Sequence, residues 1–143
     1  MSWTTLLEHP QEVLGLYGSA PDLSPFALEQ VVLENGRCLI EGELSHLPRP
    51  IPERWRIRGY TRARIRIEAD HVVSSKIDGV PDFSMHPGAV LKGHKVELNV
   101  LPTGKFWENG DGKPREIRRI IATHGPCTFA IDCLQVHVEV SGC

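Results

Sequence analysis

Aromatic residues make up only 6% of the chain. No apolar run approaches the roughly 18 residues that a membrane-spanning helix needs. The opening stretch MSWTTLLEHPQE has neither a basic lead nor a long apolar core, so no secretory leader is expected and a cytoplasmic address is the default. The cysteines Cys38, Cys127, Cys133 and Cys143 form no C-x-x-C pair, and free thiols are expected. A serine nucleophile elbow, a phosphate-binding glycine loop and an H-E-x-x-H helix are all missing. The acids Glu108, Asp111 and Glu116 do not follow the alternation of oxygen ligands that a calcium loop requires. Internal repeats and low-complexity tracts are absent too. No enzyme class is left with a signature, and no cofactor is implied.

What is present is the composition of a soluble globular protein, 41% hydrophobic and 24% charged over 143 residues, the length of a single domain spanning 1–143. The net charge of −2 conceals segregation. Residues 1–48 hold seven acids against Arg37, whereas residues 49–66 hold seven arginines against Glu53. Such asymmetry concerns partners and solubility rather than fold.

One helix is expected at the start, with Pro10 at its opening, Val13, Leu14, Leu16 and Tyr17 on its apolar face, and Gly18 as its stop. Trp3, Leu6 and Leu7 form a turn before it. Strand patterns then dominate. Residues 27–34 and 37–45 flank Asn35-Gly36, a dipeptide suited to a type I′ hairpin, with Gly42 as a candidate bulge. Residues 61–69 alternate Ala63, Ile65 and Ile67 with Arg62, Arg64, Arg66 and Glu68. Further strands are expected over 71–77, 95–101, 117–123, 127–133 and 134–140, with a phase slip at Cys133-Leu134 that predicts a bulge or bend. Residues 78–94 read as a loop holding a short strand, and 102–116 as a turn-rich excursion carrying Phe106 and Trp107. The fold class is α+β, mostly antiparallel β: one N-terminal helix packed on a β-sandwich or strongly bent antiparallel sheet of about seven or eight strands.

Three constellations bear on function. Arg62, Arg64 and Arg66 share a strand face near Trp55 and Tyr60, a pattern that could hold single-stranded nucleic acid. The plainer reading pairs them across strands with the acids of 29–43, and a protein-partner surface stands between the two; nucleic acid is disfavoured as a partner. His124, Cys127, Cys133 and His137 are metal-capable, but their spacing matches no common zinc module, so no metal is expected. Cys127 is the sole candidate for a thiol nucleophile, with no local support. Phe106 and Trp107 either anchor their loop or form an interface hot spot. The Pro48–Pro52 arm reads as a crossover that pins Trp55 into the core. Strand 134–140, if it is an edge, offers a route to a homodimer.

Together, W-x2-L-L-x2-P over residues 3–10, L-Y-G-x2-P-x-L over 16–23, the Asn35-Gly36 hairpin tip and L-P-x-P-x-P-x-x-W over 47–55 form a pattern. It resembles the immunity protein 50 family of bacterial polymorphic toxin systems, over roughly residues 3–80. The resemblance implies a cytoplasmic protein that neutralises a cognate toxin by direct binding, without catalysis. It carries no contact residues. From this sequence the candidates are Arg62, Arg64 and Arg66 with Phe106 and Trp107, or the acidic hairpin Glu29, Glu41 and Glu43. An acidic patch would imitate phosphate toward a nuclease toxin, and a basic one would suit an acidic toxin surface.

Overall fold

Asn35 and Gly36 both adopt positive φ, 53° and 74°, the turn backbone that the twist of two antiparallel strands favours. They join β1 (Phe26–Glu34) to β2 (Arg37–Leu44). The computed structural model describes residues 2–78, 94–108, 112–124 and 127–143. Four more strands follow: β3 (Ala63–Asp78), β4 (His94–Trp107), β5 (Arg115–His124) and β6 (Cys127–Gly142). All neighbours are antiparallel, in the order β1-β2-β3-β6-β5-β4, and β4 returns to β1 through Phe26↔Val96 and Ala27↔Lys95. The mostly antiparallel sheet therefore bends until it closes into a barrel.

Among the described residues six long strands stand where seven or eight shorter ones are expected, because two pairs fuse. The strands expected over 61–69 and 71–77 are one strand, beginning at Ala63 and passing through His71, whose φ is 55°. The backbone N–H of Val72 donates to Gly36 O at 2.9 Å, so the hairpin turn packs onto the strand there. The expected slip at Cys133-Leu134 has its counterpart across the ladder: the register jumps between Val72 and Ser74 of β3, opposite Cys133 and Asp132. Cys133 and Leu134 are consecutive and both buried, the outcome of that irregularity. The bulge expected at Gly42 lies instead on β1, between Leu28 and Gln30. Gly42 answers a different need, since a Cβ there would strike the Phe26 ring. The loop expected over 78–94 falls outside the described residues between Asp78 and His94.

The alternating apolar residues point into the lumen. Ile40, Ile65, Ile67, Leu98, Ile120 and Ile131 are fully buried there, with Phe26 and Phe129 as the largest fillers. The starts of β1, β3 and β5 and the ends of β2, β4 and β6 share one end of the barrel, which follows from the antiparallel registers. Leu6, Leu7, Val13, Leu23 and Trp55 join the core from the segments around the strands. They come from a 3-10 turn (Trp3–Leu6), α1 (Gln11–Tyr17) and α2 (Glu53–Ile57). α1 ends at Gly18, whose φ of 75° lets its N–H reach Leu14 O at 2.8 Å. Strand 134–140 is flanked by β3, and its Val136 O accepts from Glu8 N–H at 3.0 Å, so the N-terminal segment covers part of the edge that was open to a copy.

Candidate partner-binding surface

The registers Glu41↔Arg66 and Glu43↔Arg64 put the basic and acidic stripes on one outward face of β2 and β3. Arg62 meets Glu43 at 3.0 Å, Arg64 meets Glu29 at 2.5 Å and Glu41 at 3.6 Å, and Arg66 meets Glu41 at 3.9 Å. Toward the turn end, Arg37 pairs with Glu68 at 2.9 Å and Asp70 at 3.1 Å. The two alternative charged surfaces of the sequence are thus brought together against each other. Each exposed pair contributes about 0–1 kcal/mol, and the network's main effect is to cancel the field of both stripes.

The metal-capable set divides. Cys133 is buried, while His137 on the same strand faces outward, 3.3 Å from Asp70 and ring to ring with His9 at 6.0 Å. The side chains of His124 and Cys127 lie outside the described residues. Among the described residues, no group of three or more His, Cys, Asp or Glu converges as a metal site. Burial pushes the Cys38 thiol up to about 12, with Cys133 adding to it. Burial likewise raises Cys133 to about 12, against the opposing pull of Arg118. A thiol held there is not a thiolate at neutral pH and is a poor nucleophile.

The excursion over 102–116 is a hairpin arm. β5 leaves β6 after Arg118↔Cys133, yet β4 and β5 stay paired out to Phe106↔Glu116 and Trp107↔Arg115. Gly104, with φ of 72°, and the Thr103 hydroxyl, which donates to Ile117 O at 2.7 Å, shape the irregularity between Pro102 and Phe106. On the arm Phe106 is 60% exposed and Trp107 45% exposed, and Leu101, on the barrel wall where β5 still pairs with β6, is also 45% exposed. The only other large apolar side chain so exposed among the described residues is Ile57, at 77%. It sits on α2, at the same end of the barrel as the arm.

Sequence reasoning missed α2, reading its residues as the end of a proline arm. Its buried face is Trp55, as expected, packed edge-on to Tyr60 with ring centroids 6.4 Å apart. Gly142 makes room for both rings, because a Cβ there would lie 2.8 Å from Trp55 Cδ2. The signal was available: Trp55 flanked by Arg54, Arg56, Ile57 and Arg58 is one apolar anchor within one polar turn.

Two of the clefts among the described residues border these segments. One, of about 400 Å³, lies between Tyr17, Pro21, Leu44, Leu47 and Arg49, with the Tyr17 hydroxyl donating to His46 O at 2.9 Å. The other, of about 430 Å³, opens where β5 and β6 part, lined by Glu8, Arg115, Glu116, Arg118 and Gln135. There Arg118 donates to Leu134 O and approaches Glu8 at 3.6 Å, while its Nε is buried without an acceptor. Neither cleft pairs an acid with a base around an activated nucleophile. No helix among the described residues is long and apolar enough to cross a membrane. Comparison with protein-family models, curated proteins and solved structures finds no match.

Proposed function

We propose that this chain is an immunity protein that neutralises a bacterial toxin by binding it directly, without turnover, and that the β4–β5 arm is its principal contact. The observation that carries the reading is the arm: a strand pair that leaves the barrel carrying Phe106, 60% exposed, and Trp107, 45% exposed. Exposing a tryptophan and a phenylalanine is unfavourable for an isolated protein and useful for one that docks. Trp is among the commonest interface hot spots, and truncating one typically weakens binding by about 2 kcal/mol or more. A standard interface of ~800 Å² per partner is larger than the arm alone offers, so neighbouring parts of the same barrel end complete it. The resemblance over residues 3–80 supplies the biological setting.

The alternative, a small β module binding single-stranded nucleic acid through Arg62, Arg64 and Arg66, loses its physical basis to ion pairing, since each of these guanidiniums already faces a carboxylate. The test is protection. The chain is co-expressed with a candidate cognate toxin, as wild type and as Phe106→Ala/Trp107→Ala. Growth with the wild type and death with the variant, at equal protein levels, is the expected result. Protection that survives loss of both rings would remove the arm from the interface, and failure of the wild type would refute the immunity reading.

A further inference from the structure

The arginines of this chain divide by pairing. Arg37, Arg62, Arg64, Arg66, Arg118 and Arg119 each have a carboxylate within 4.0 Å. Arg49, Arg54, Arg56, Arg58 and Arg115 have none among the described residues. All five lie at the barrel end where β2 and β4 finish and β3 and β5 begin. Three of the four exposed large apolar side chains among the described residues, Ile57, Phe106 and Trp107, lie at that end as well. Unpaired cations and bare apolar groups thus lie together, on a molecule whose net charge is −2.

Building on the reading of the chain as a toxin binder, we infer that α2 and its flanks form the electrostatic half of the docking surface, and that its occupant is an acidic protein surface with apolar side chains at its centre. Arg54 within α2 and Arg58, its C-cap, stand at i, i+4, a like-charge spacing whose repulsion an anion lying across it would relieve. Arg58 is steadied by donating to the Tyr60 hydroxyl at 3.3 Å, a neutral partner that leaves its charge available. Ile57 projects among these arginines at 77% exposure, the arrangement of an apolar anchor inside a charged rim.

Two features point to protein rather than nucleic acid. Ile57 has no π face for stacking a base, and Phe106 and Trp107 are adjacent on a strand, so they address opposite sides and cannot make a continuous stacking platform. Charge complementarity here acts mainly on encounter rate and orientation, while the aromatic arm holds the complex.

The test uses the full chain and two labelled probes, read by fluorescence anisotropy at low and high salt. One probe is an amphipathic peptide built of Glu and Leu, and the other is an oligo-dT strand. The expected result is peptide binding that weakens at least tenfold in Arg54→Glu/Arg56→Glu and at least threefold in Ile57→Ser, with oligo-dT bound at least tenfold more weakly. Both variants alter exposed side chains and leave Trp55 in place, and circular dichroism checks the fold. Absence of peptide binding, affinity indifferent to both variants, or tighter binding of oligo-dT would overturn the proposal. The assay contains no toxin, so its failure is separable from a failure of protection in cells.

Discussion

Gly42→Ala, a single added methyl group, tests the packing account most severely. Gly42 faces the lumen from β2, paired with Ile65 of β3 and Leu28 of β1. A Cβ at this position would lie 2.5 Å from Phe26 Cε1 and 2.6 Å from Phe26 Cζ, and would also press on the Ala27 carbonyl oxygen. Carbon atoms in contact prefer about 3.5–4.0 Å, so roughly 1 Å of overlap must be relieved. Phe26 is fully buried, and the second obstacle is the backbone of the neighbouring strand. Overpacking of a core usually costs about 1–3 kcal/mol, and with backbone in the way the upper end, ~3 kcal/mol, is expected. For a chain of this length that corresponds to a fall in Tm of about 12 °C. Urea unfolding would show a lower midpoint at unchanged slope. Phe26→Leu removes the obstructing ring atoms, so Gly42→Ala made in that background should cost at least ~1 kcal/mol less. A Gly42→Ala protein within ~0.5 kcal/mol of wild type, or strict additivity with Phe26→Leu, would refute the reasoning.

Other expectations follow from the same structure. The Asp132 carboxylate accepts from Arg119 at 2.7 and 2.9 Å, and this hydrogen bonding holds it below the usual carboxylate range. Its stabilisation is complete above the unfolded carboxylate value near ~3.9 and is lost as pH falls through the lower folded value. Acid titrations should therefore show Asp132→Asn losing ~0.5–1 kcal/mol at neutral pH and matching wild type at the acid limit, the small figure reflecting the half-exposed Arg119. Cys38 and Cys133, raised to about 12 by burial, should resist thiol reagents at pH 8 until the protein unfolds, whereas Cys143 should label in the native state; labelling of either buried thiol at the rate of Cys143 would contradict their placement. Phe106→Ala should change stability by less than ~0.5 kcal/mol in chemical denaturation, because its side chain is 60% exposed.

The hairpin at Asn35-Gly36, the helix stop at Gly18 and the inward face of Ala63, Ile65 and Ile67 were legible because each depends on residues close in sequence. Closure was not. It depends on Phe26 and Ala27 meeting Val96 and Lys95 across some seventy residues, a long-range pairing that alternation alone does not encode. Nor did alternation foresee that β3 continues through His71, since a positive φ at a non-glycine residue is imposed by tertiary contact with the hairpin turn. Charge patterning announced both stripes, but only the register of β2 on β3 showed that they cancel. The aromatic pair in the arm drew notice from sequence, whereas the α2 arginines were merged with the stripe next to them. A five-residue helix is too short to show a period, and only its position beside Gly142 separates its side chains from those of β3.

The most direct measurement is a calorimetric titration of the purified chain into the proposed cognate toxin domain, with wild type, Trp107→Ala and Arg64→Ala compared. The account predicts a one-to-one complex. It predicts that Trp107→Ala weakens binding by ~30-fold or more, in line with an interface hot spot. Arg64→Ala, which removes a guanidinium already engaged by Glu29 and Glu41, should change it by less than about threefold. Equal affinity for wild type and Trp107→Ala, or a larger loss from Arg64→Ala, would contradict it.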